Sequence, residues 1–318
     1  MRNMKIMETV NSRKDYEKVE AHDRFAFPAD VHRVTAGRGG EALLICGSDK
    51  TALLDCGMAY CGADIAVNIE KVLGDKPLDY ILLTHSHYDH IGALPWIREH
   101  YPDALVCGSE KCASILSKDS ARKLMVELGT EARNQYAPGS DAKIRTDGLH
   151  VDKVLSHGES IAIGDRCGVK EEIVAYETRG HTDCSLSFLL LPERLLFTSE
   201  STGILEGSDY IHTPFLKSFP DSIDSLKRCM ALKPEYICLP HYGMLPKEFN
   251  ETYFEMFEAE CHRKLNLIRE MNREGLTEEE MLERYIDRYW TPAKLEEQPF
   301  EAFVINSRHI VKALLRAL

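Results

Sequence analysis

Tyr80-Ile81-Leu82-Leu83-Thr84-His85-Ser86-His87-Tyr88-Asp89-His90 is the stretch on which the rest of the chain depends. Its aliphatic start reads as a buried strand, and its polar end as a loop carried at the strand's carboxyl edge. Three imidazoles and a carboxylate in one turn-sized loop are costly to desolvate unless something binds them. Neutral imidazole nitrogens and carboxylate oxygens are the donors that zinc and similar borderline cations select. In extended backbone, side chains alternate in direction, so His85 and His87 point the same way and can grip one ion. Asp89 and His90 fall where the loop turns into a helix, placed to face a second ion.

Working outward, the βαβ rhythm around this stretch predicts a parallel portion of sheet. Val31 to Val34, Glu41 to Cys46 and Thr51 to Leu54 read as strands, and Gly37-Arg38-Gly39-Gly40 as a hairpin turn. That glycine cluster lacks the Lys-Ser/Thr ending of a phosphate cradle. Ile65, Ile69, Val72 and Leu73 recur at helical spacing, and Gly74 ends the helix. A short helix through Leu94, Trp96 and Ile97 tolerates Pro95 in its first turn, and Ala104 to Cys107 is the next strand. Ser109 to Tyr136 is helical and highly charged, followed by a loop, and is a candidate lid over about 109–140.

Val151 to Leu155, Ser160 to Ile163 and Val169 to Thr178 resume strand patterning and are assigned to a second sheet. Leu186 to Leu191 and Arg194 to Phe197 form a hairpin around Pro192-Glu193, with Glu200 at its exit. Asp221 is read as the cap of a helix whose Ile223, Leu226, Cys229 and Met230 face inward. Tyr236 to Leu239 is a strand delivering His241. Beyond Gly243 the chain becomes Glu- and Arg-rich with helical spacing, and Thr277 with Glu280 forms a capping box.

The motif His85-Ser86-His87-Tyr88-Asp89-His90 resembles the HxHxDH signature of the metallo-β-lactamase superfamily. Gly180-His181-Thr182 is similar to the family's third-histidine motif, and Leu239-Pro240-His241-Tyr242-Gly243 to its final-histidine motif. Phe197-Thr198-Ser199-Glu200 lies where the family has a strand ending in a bridging Asp. Ala52-Leu53-Leu54-Asp55-Cys56-Gly57 resembles its early strand with a buried Asp. The resemblance implies a four-layer αββα sandwich of the α/β class over residues 31–245. The charged, weakly patterned start reads as an N-terminal arm over 1–30, and the helical spacing after Gly243 as a helical C-terminal extension over 246–318 packed on the core.

The same resemblance implies two divalent metal ions, zinc by preference, with iron or manganese as alternatives. His85, His87 and His181 would hold the first ion, Asp89, His90 and His241 the second, and Glu200 would bridge them. A metal-bridging hydroxide is then the nucleophile, with Asp89 orienting it and accepting its proton. Glu200 departs from the family's Asp by one methylene. Tyr210 and His212, in the loop after Glu200, are the candidates to touch substrate. Asp55 is expected to support the metal loop from behind, and Cys184 to be a buried thiol.

Formal net charge is −12, which tilts against a polyanionic nucleic-acid partner. No apolar run could span a bilayer, and the opening residues have no apolar segment of signal-peptide length. The 10 cysteines form no compact framework, so a cytoplasmic protein with reduced thiols is expected. A small-molecule substrate, no membrane and a homodimer complete the expectations. The reading is a metal-dependent hydrolase of an ester, thioester, lactone or amide bond. Its alternatives are a phosphodiesterase acting on a nucleotide or phospholipid head group, and mononuclear-iron oxidation of a thiol.

Overall fold

In the computed structural model, residues 26–206, 210–246, 249–291, 294 and 298–318 are described. Most of the expected N-terminal arm therefore lies outside the described residues. Two six-stranded sheets face each other. The first runs β1 (Val31–Arg33), β2 (Leu43–Cys46), β3 (Thr51–Leu54), β4 (Tyr80–Leu82), β5 (Leu105–Gly108) and β6 (Lys153–Val154). Its first three strands are antiparallel and the remainder parallel. The second contains β7 (Ser160–Arg166), β8 (Val169–Glu177), β9 (Leu186–Leu191), β10 (Leu195–Phe197), β13 (Tyr236–Leu239) and β14 (Gly243–Met244), in the order β14-β13-β10-β9-β8-β7. A small ribbon of β11 (Ile204–Leu205) and β12 (Ile211–His212) stands apart from both sheets.

Strand alternation sorts side chains into separate cores. Leu43, Ile45, Ala52, Leu54 and Leu82 point between the sheets and meet Phe188, Leu190, Leu195 and Phe197. Their neighbours Leu44, Leu53, Ile81 and Val106 point the other way. There they meet Ile65 and Ile69 of α1 (Gly62–Leu73) and Leu94 and Ile97 of α3 (Leu94–His100), which follows the short α2 (Tyr88–Ile91). On the second sheet Leu189, Leu196, Ile237 and Leu239 turn outward beneath α6 (Phe219–Ala231), α7 (Tyr253–Arg273), α8 (Glu278–Tyr289) and α9 (Phe300–Arg316). A period of two on strands that are buried on both faces yields the four layers. The C-terminal helices are the outer layer of the second sheet, and Phe257, Ile268, Tyr285, Phe303 and Val311 are buried there.

Four local expectations are corrected. Lys153–Val154 joins the first sheet, parallel to β5, and not the second; a two-residue edge strand carries no period that could reveal its partner. The charged segment after β5 is broken into α4 (Glu110–Leu116) and α5 (Asp119–Tyr136), with Ser109 capping the first through Cys112 N–H at 3.1 Å. The cap of α6 is Ser218, whose Oγ accepts from Asp221 N–H at 3.2 Å. Pro220 fixes the first turn, so the helix starts before Asp221. Val72 and Met230 are exposed at the margins of their helices. The Thr277–Glu280 capping box is present as read.

Candidate metal centre

β3 and β4 end side by side, and the first residues past them begin the site. Asp55, in a left-handed conformation (φ 52°) directly after β3, accepts from Thr84 N–H at 2.8 Å and from the Thr84 hydroxyl at 2.6 Å. Its Oδ2 also lies 2.9 Å from His90 Nδ1. One buried carboxylate thus fixes both ends of the histidine loop, the supporting role expected of it. With the Thr84 proton committed to Asp55, the Thr84 oxygen accepts from His85 Nδ1 at 3.0 Å. His85 Nε2 is left buried and, among the described residues, without a hydrogen-bond partner. His181 follows the same pattern: its Nδ1 lies 2.7 Å from the Pro214 carbonyl, and its Nε2 turns inward, 2.9 Å from His87 Nδ1.

Far nitrogens anchored and near nitrogens converging describe a preformed ligand set. His85, His87, His181 and Glu200 form one group, and Asp89, His90, Glu200 and His241 another; within each, one donor atom per residue lies within 4.8 Å of the others. Glu200 Oε1 stands at the centre, 3.1 Å from His90 Nε2 and 3.5 Å from the Nε2 atoms of His85, His181 and His241. Separations of 3.5 Å are long for hydrogen bonds. They match the edge of a tetrahedron of donors held about 2.1 Å from a cation, which is about 3.4 Å. The orphaned His85 nitrogen and the all N/O donor set therefore fit a metal ion.

Glu200 occupies the first position of a 3-10 turn (Glu200–Thr202), capped by Ser199, rather than a strand end. Beginning the turn there gives the longer side chain a route to the centre. Gly40 makes the approach from the opposite side. A Cβ at that position would lie 2.4 Å from His90 Nδ1, so the Gly37–Gly40 segment is a close-packed wall of the site as well as a turn. Gly180, at φ 133°, leaves no room for a Cβ against Ser222 and lets the chain turn directly before His181.

Electrostatics divide the imidazoles. Burial, reinforced by the charge of His90, holds His85 well below the usual histidine range. Burial and the charge of His181 bring His87 down to about 4. For His90, burial is outweighed by Asp89, Asp55 and Glu200, and it titrates well above the usual range. Glu200 itself, although desolvated, is held well below the carboxylate range by His181, His241 and His90. His85 and His87 are therefore neutral and Glu200 ionised, the protonation states that a cation requires. His90 and His241, where burial is outweighed by the neighbouring carboxylates, are held above the usual histidine range and must release a proton to bind one. His85 and His90 have no side-chain exposure, whereas His241 is 20% and Asp89 19% exposed, so the centre opens on that side.

Tyr210 and His212 lie one step removed, on the ribbon that leaves the centre at Glu200 and returns at Pro214. His212 Nδ1 is 3.9 Å from Glu206. Cys184 is buried, 3.2 Å from the Thr182 hydroxyl and 3.5 Å from Ser86, outside both donor groups. His32, His100 and His150 have local partners in Asp30, the Trp96 carbonyl and Asp152. No sequence pattern marks Thr84, the Pro214 carbonyl or Gly40 as part of the site, because their roles arise from contacts across the fold.

An αββα sandwich whose facing sheets carry a His/Asp/Glu cage at one edge defines a metal-binding protein of a recognisable class. The family model described as the metallo-beta-lactamase superfamily matches residues 36–241, and the chain belongs to that superfamily. The metallo-beta-lactamase fold-containing protein ST1585 of Sulfurisphaera tokodaii is 28% identical over 219 residues, 68% of this chain and 78% of that protein. Its crystal structure superposes with a TM-score of 0.57 at 20% identity, covering 91% of this chain and 99% of that one. The metallo-beta-lactamase family protein TTHA1429 of Thermus thermophilus gives a TM-score of 0.58 at 16% identity, covering 90% and 94%. The rubredoxin-oxygen oxidoreductase of Megalodesulfovibrio gigas is 26% identical over 156 residues, 49% of this chain and 31% of that protein.

Proposed function

We propose that this protein is a cytosolic metal-dependent hydrolase that cleaves an ester, thioester, lactone or amide bond of a small metabolite. The observation that carries the reading is Glu200 Oε1 at 3.1–3.5 Å from four imidazole nitrogens, two from each donor group. His85, His87 and His181 would hold one divalent ion, Asp89, His90 and His241 a second, and Glu200 both. Zinc is the ion these donors favour. When bound, such ions acidify water and polarise the oxygen of the bond to be cleaved.

The chain's own residues supply the rest. Asp55 and Thr84 keep His85 and His90 in the tautomers that turn Nε2 inward. Pro214 does the same for His181. Asp89 stands at the open side, its Oδ2 3.6 Å from His90 and 3.7 Å from His241. There it can orient a water and take its proton as that water attacks. The layers on either side exclude bulk solvent from His85 and His90, so charge developing near them is poorly screened.

Elemental analysis of protein purified without added metal is the first test. Two equivalents of zinc or manganese fit hydrolysis. A single iron, with oxygen uptake in the presence of a thiol, would favour the oxidative alternative that the oxidoreductase relative brings to mind. Assay of nitrophenyl phosphodiesters, thioesters and lactones then separates bond classes. His87→Ala and His241→Ala are each expected to abolish turnover with little unfolding. Full activity in either variant contradicts the assignment.

A further inference from the structure

The ribbon that links Glu200 to Pro214 carries a second charged cluster at its far end, which the metal centre does not use. Lys264, on α7, is completely buried, and among the described residues its Nζ makes no hydrogen bond. It lies 4.8 Å from the ring centre of Tyr289, 5.8 Å from Tyr285 and 6.0 Å from Tyr210. The Tyr285 hydroxyl is likewise buried and makes no hydrogen bond among the described residues. Lys294 is 4% exposed and sits 5.3 Å from the Tyr210 ring centre, paired with Glu206. His212, 3.9 Å from Glu206, stands between this cluster and the centre.

Glu260 and Glu206 attract the Lys264 ammonium only at longer range, and among the described residues neither gives it an acceptor. Glu206 is taken by Lys294, and Glu260 by Arg263 at 2.8 Å. Among the described residues no carboxylate lies within ion-pair distance of Lys264. Aromatic faces attract an ammonium, but they leave its three N–H groups without acceptors, and a buried charge without hydrogen bonds is costly. Burial draws Lys264 down to about 8, still protonated at neutral pH. An ammonium and a phenol hydroxyl without acceptors call for a group that only accepts, and a carboxylate is such a group.

We propose that Lys264 and the Tyr285 hydroxyl, beside Lys294, form a buried subsite for the carboxylate of an acid-bearing acyl substrate whose scissile bond lies at the metal centre. This deepens the hydrolase reading and rests on it for the identity of the scissile bond. From Glu200 to Glu206 the chain can extend no more than about 20 Å, which is an upper bound on the span the acyl chain must cover, and His212 feels the charges of both Glu200 and Lys264. The substrate class is then the monoester or monothioester of a dicarboxylic acid, which keeps one free carboxylate, and not a neutral acyl compound.

The test uses two readouts on the full-length metalloprotein. The first is the shift of the thermal midpoint with glutarate, which needs no turnover. The second is the ratio of kcat/KM for the mono-4-nitrophenyl ester of glutaric acid over that for 4-nitrophenyl pentanoate. Wild type is expected to be stabilised by millimolar glutarate and to prefer the acid-ended ester at least tenfold. Lys264→Met should lose both the shift and the preference, Lys264→Arg should recover part of each, and Tyr285→Phe should reduce both while removing only one oxygen. A glutarate shift without turnover of any ester supports the subsite and sinks the hydrolase reading. A preference or a shift that survives Lys264→Met, or the absence of both in wild type, overturns the proposal.

Discussion

At the scale of single residues, the centre is a problem in tautomers. Each imidazole has two nitrogens, and only the partner of the outer one determines where the inner lone pair points. Asp55 does this for His90 directly and for His85 through Thr84. Asp55→Asn is therefore expected to weaken metal binding by about 10–100-fold, the range typical of lost outer partners; competition with a chromophoric chelator measures it, and an unchanged affinity would remove Asp55 from this role. Lys264 provides a second prediction, of opposite sign for stability. Its folded-state pKa is about 8 against an ordinary 10.5, so burial disfavours the charged form. Below pH 8 the ammonium penalises the fold. As pH rises from 8 to 10.5, the folded state releases its proton before the unfolded state does, and the penalty fades. A difference of 10.5 to about 8 corresponds to about 3 kcal/mol. Without added acid, Lys264→Met should thus raise the denaturation midpoint at pH 7, with the gain over wild type shrinking by pH 10.5. Urea titrations at the two pH values check it.

At the scale of elements, helix starts decide how the layers seat. Ser218 caps α6, and the carbonyl of Gly180, beside His181, accepts from Ser218 N–H at 3.2 Å. Loss of that cap in Ser218→Ala should cost about 1 kcal/mol, whereas Asp221→Ala should cost less, since Asp221 contributes only its backbone to the cap. Thermal denaturation of the two variants distinguishes the helix start seen here from the one read at Asp221. The ribbon β11–β12 is the other telling element. It is too short to be stable alone, and it is held at Thr202 by the Tyr253 hydroxyl at 3.0 Å and packed through Leu205 and Ile211 beneath α7. The C-terminal helices therefore position the segment that carries Glu200 and supports His181.

At the scale of the whole molecule, three apolar cores fill the spaces between four layers, and the outermost lies beneath α6 to α9. Phe257 is buried at its centre; Phe257→Ala is expected to destabilise by about 3–5 kcal/mol, read from chemical denaturation. Truncation before Glu278 would strip away Tyr285, Phe303, Ile310 and Val311 and expose their partners on α7. Such a chain should be aggregation-prone and should lose metal affinity along with stability. A truncated chain that stays monomeric with full metal content would show that the helices are dispensable to the centre.

The histidine loop, the strands around it and the burial of the strand that delivers it were legible in the sequence because they are local: strand patterning and the order of donors survive in one dimension. His181, Glu200 and His241 could be placed through the family resemblance, but nothing in their spacing states a distance of 3.5 Å. Other features belonged to the tertiary structure alone. Lys153–Val154 has no pattern to choose a sheet, Gly40 read as a turn until His90 packed against it, and Lys264 sits in Cys261-His262-Arg263-Lys264, which reads as a solvated helix face. Which polar groups end up buried, and which partner each nitrogen or ammonium meets, depends on contacts between residues far apart in the chain. Those contacts form only when the two sheets and their helical layers close on one another, so local chemistry fixes the donors while packing fixes what they face.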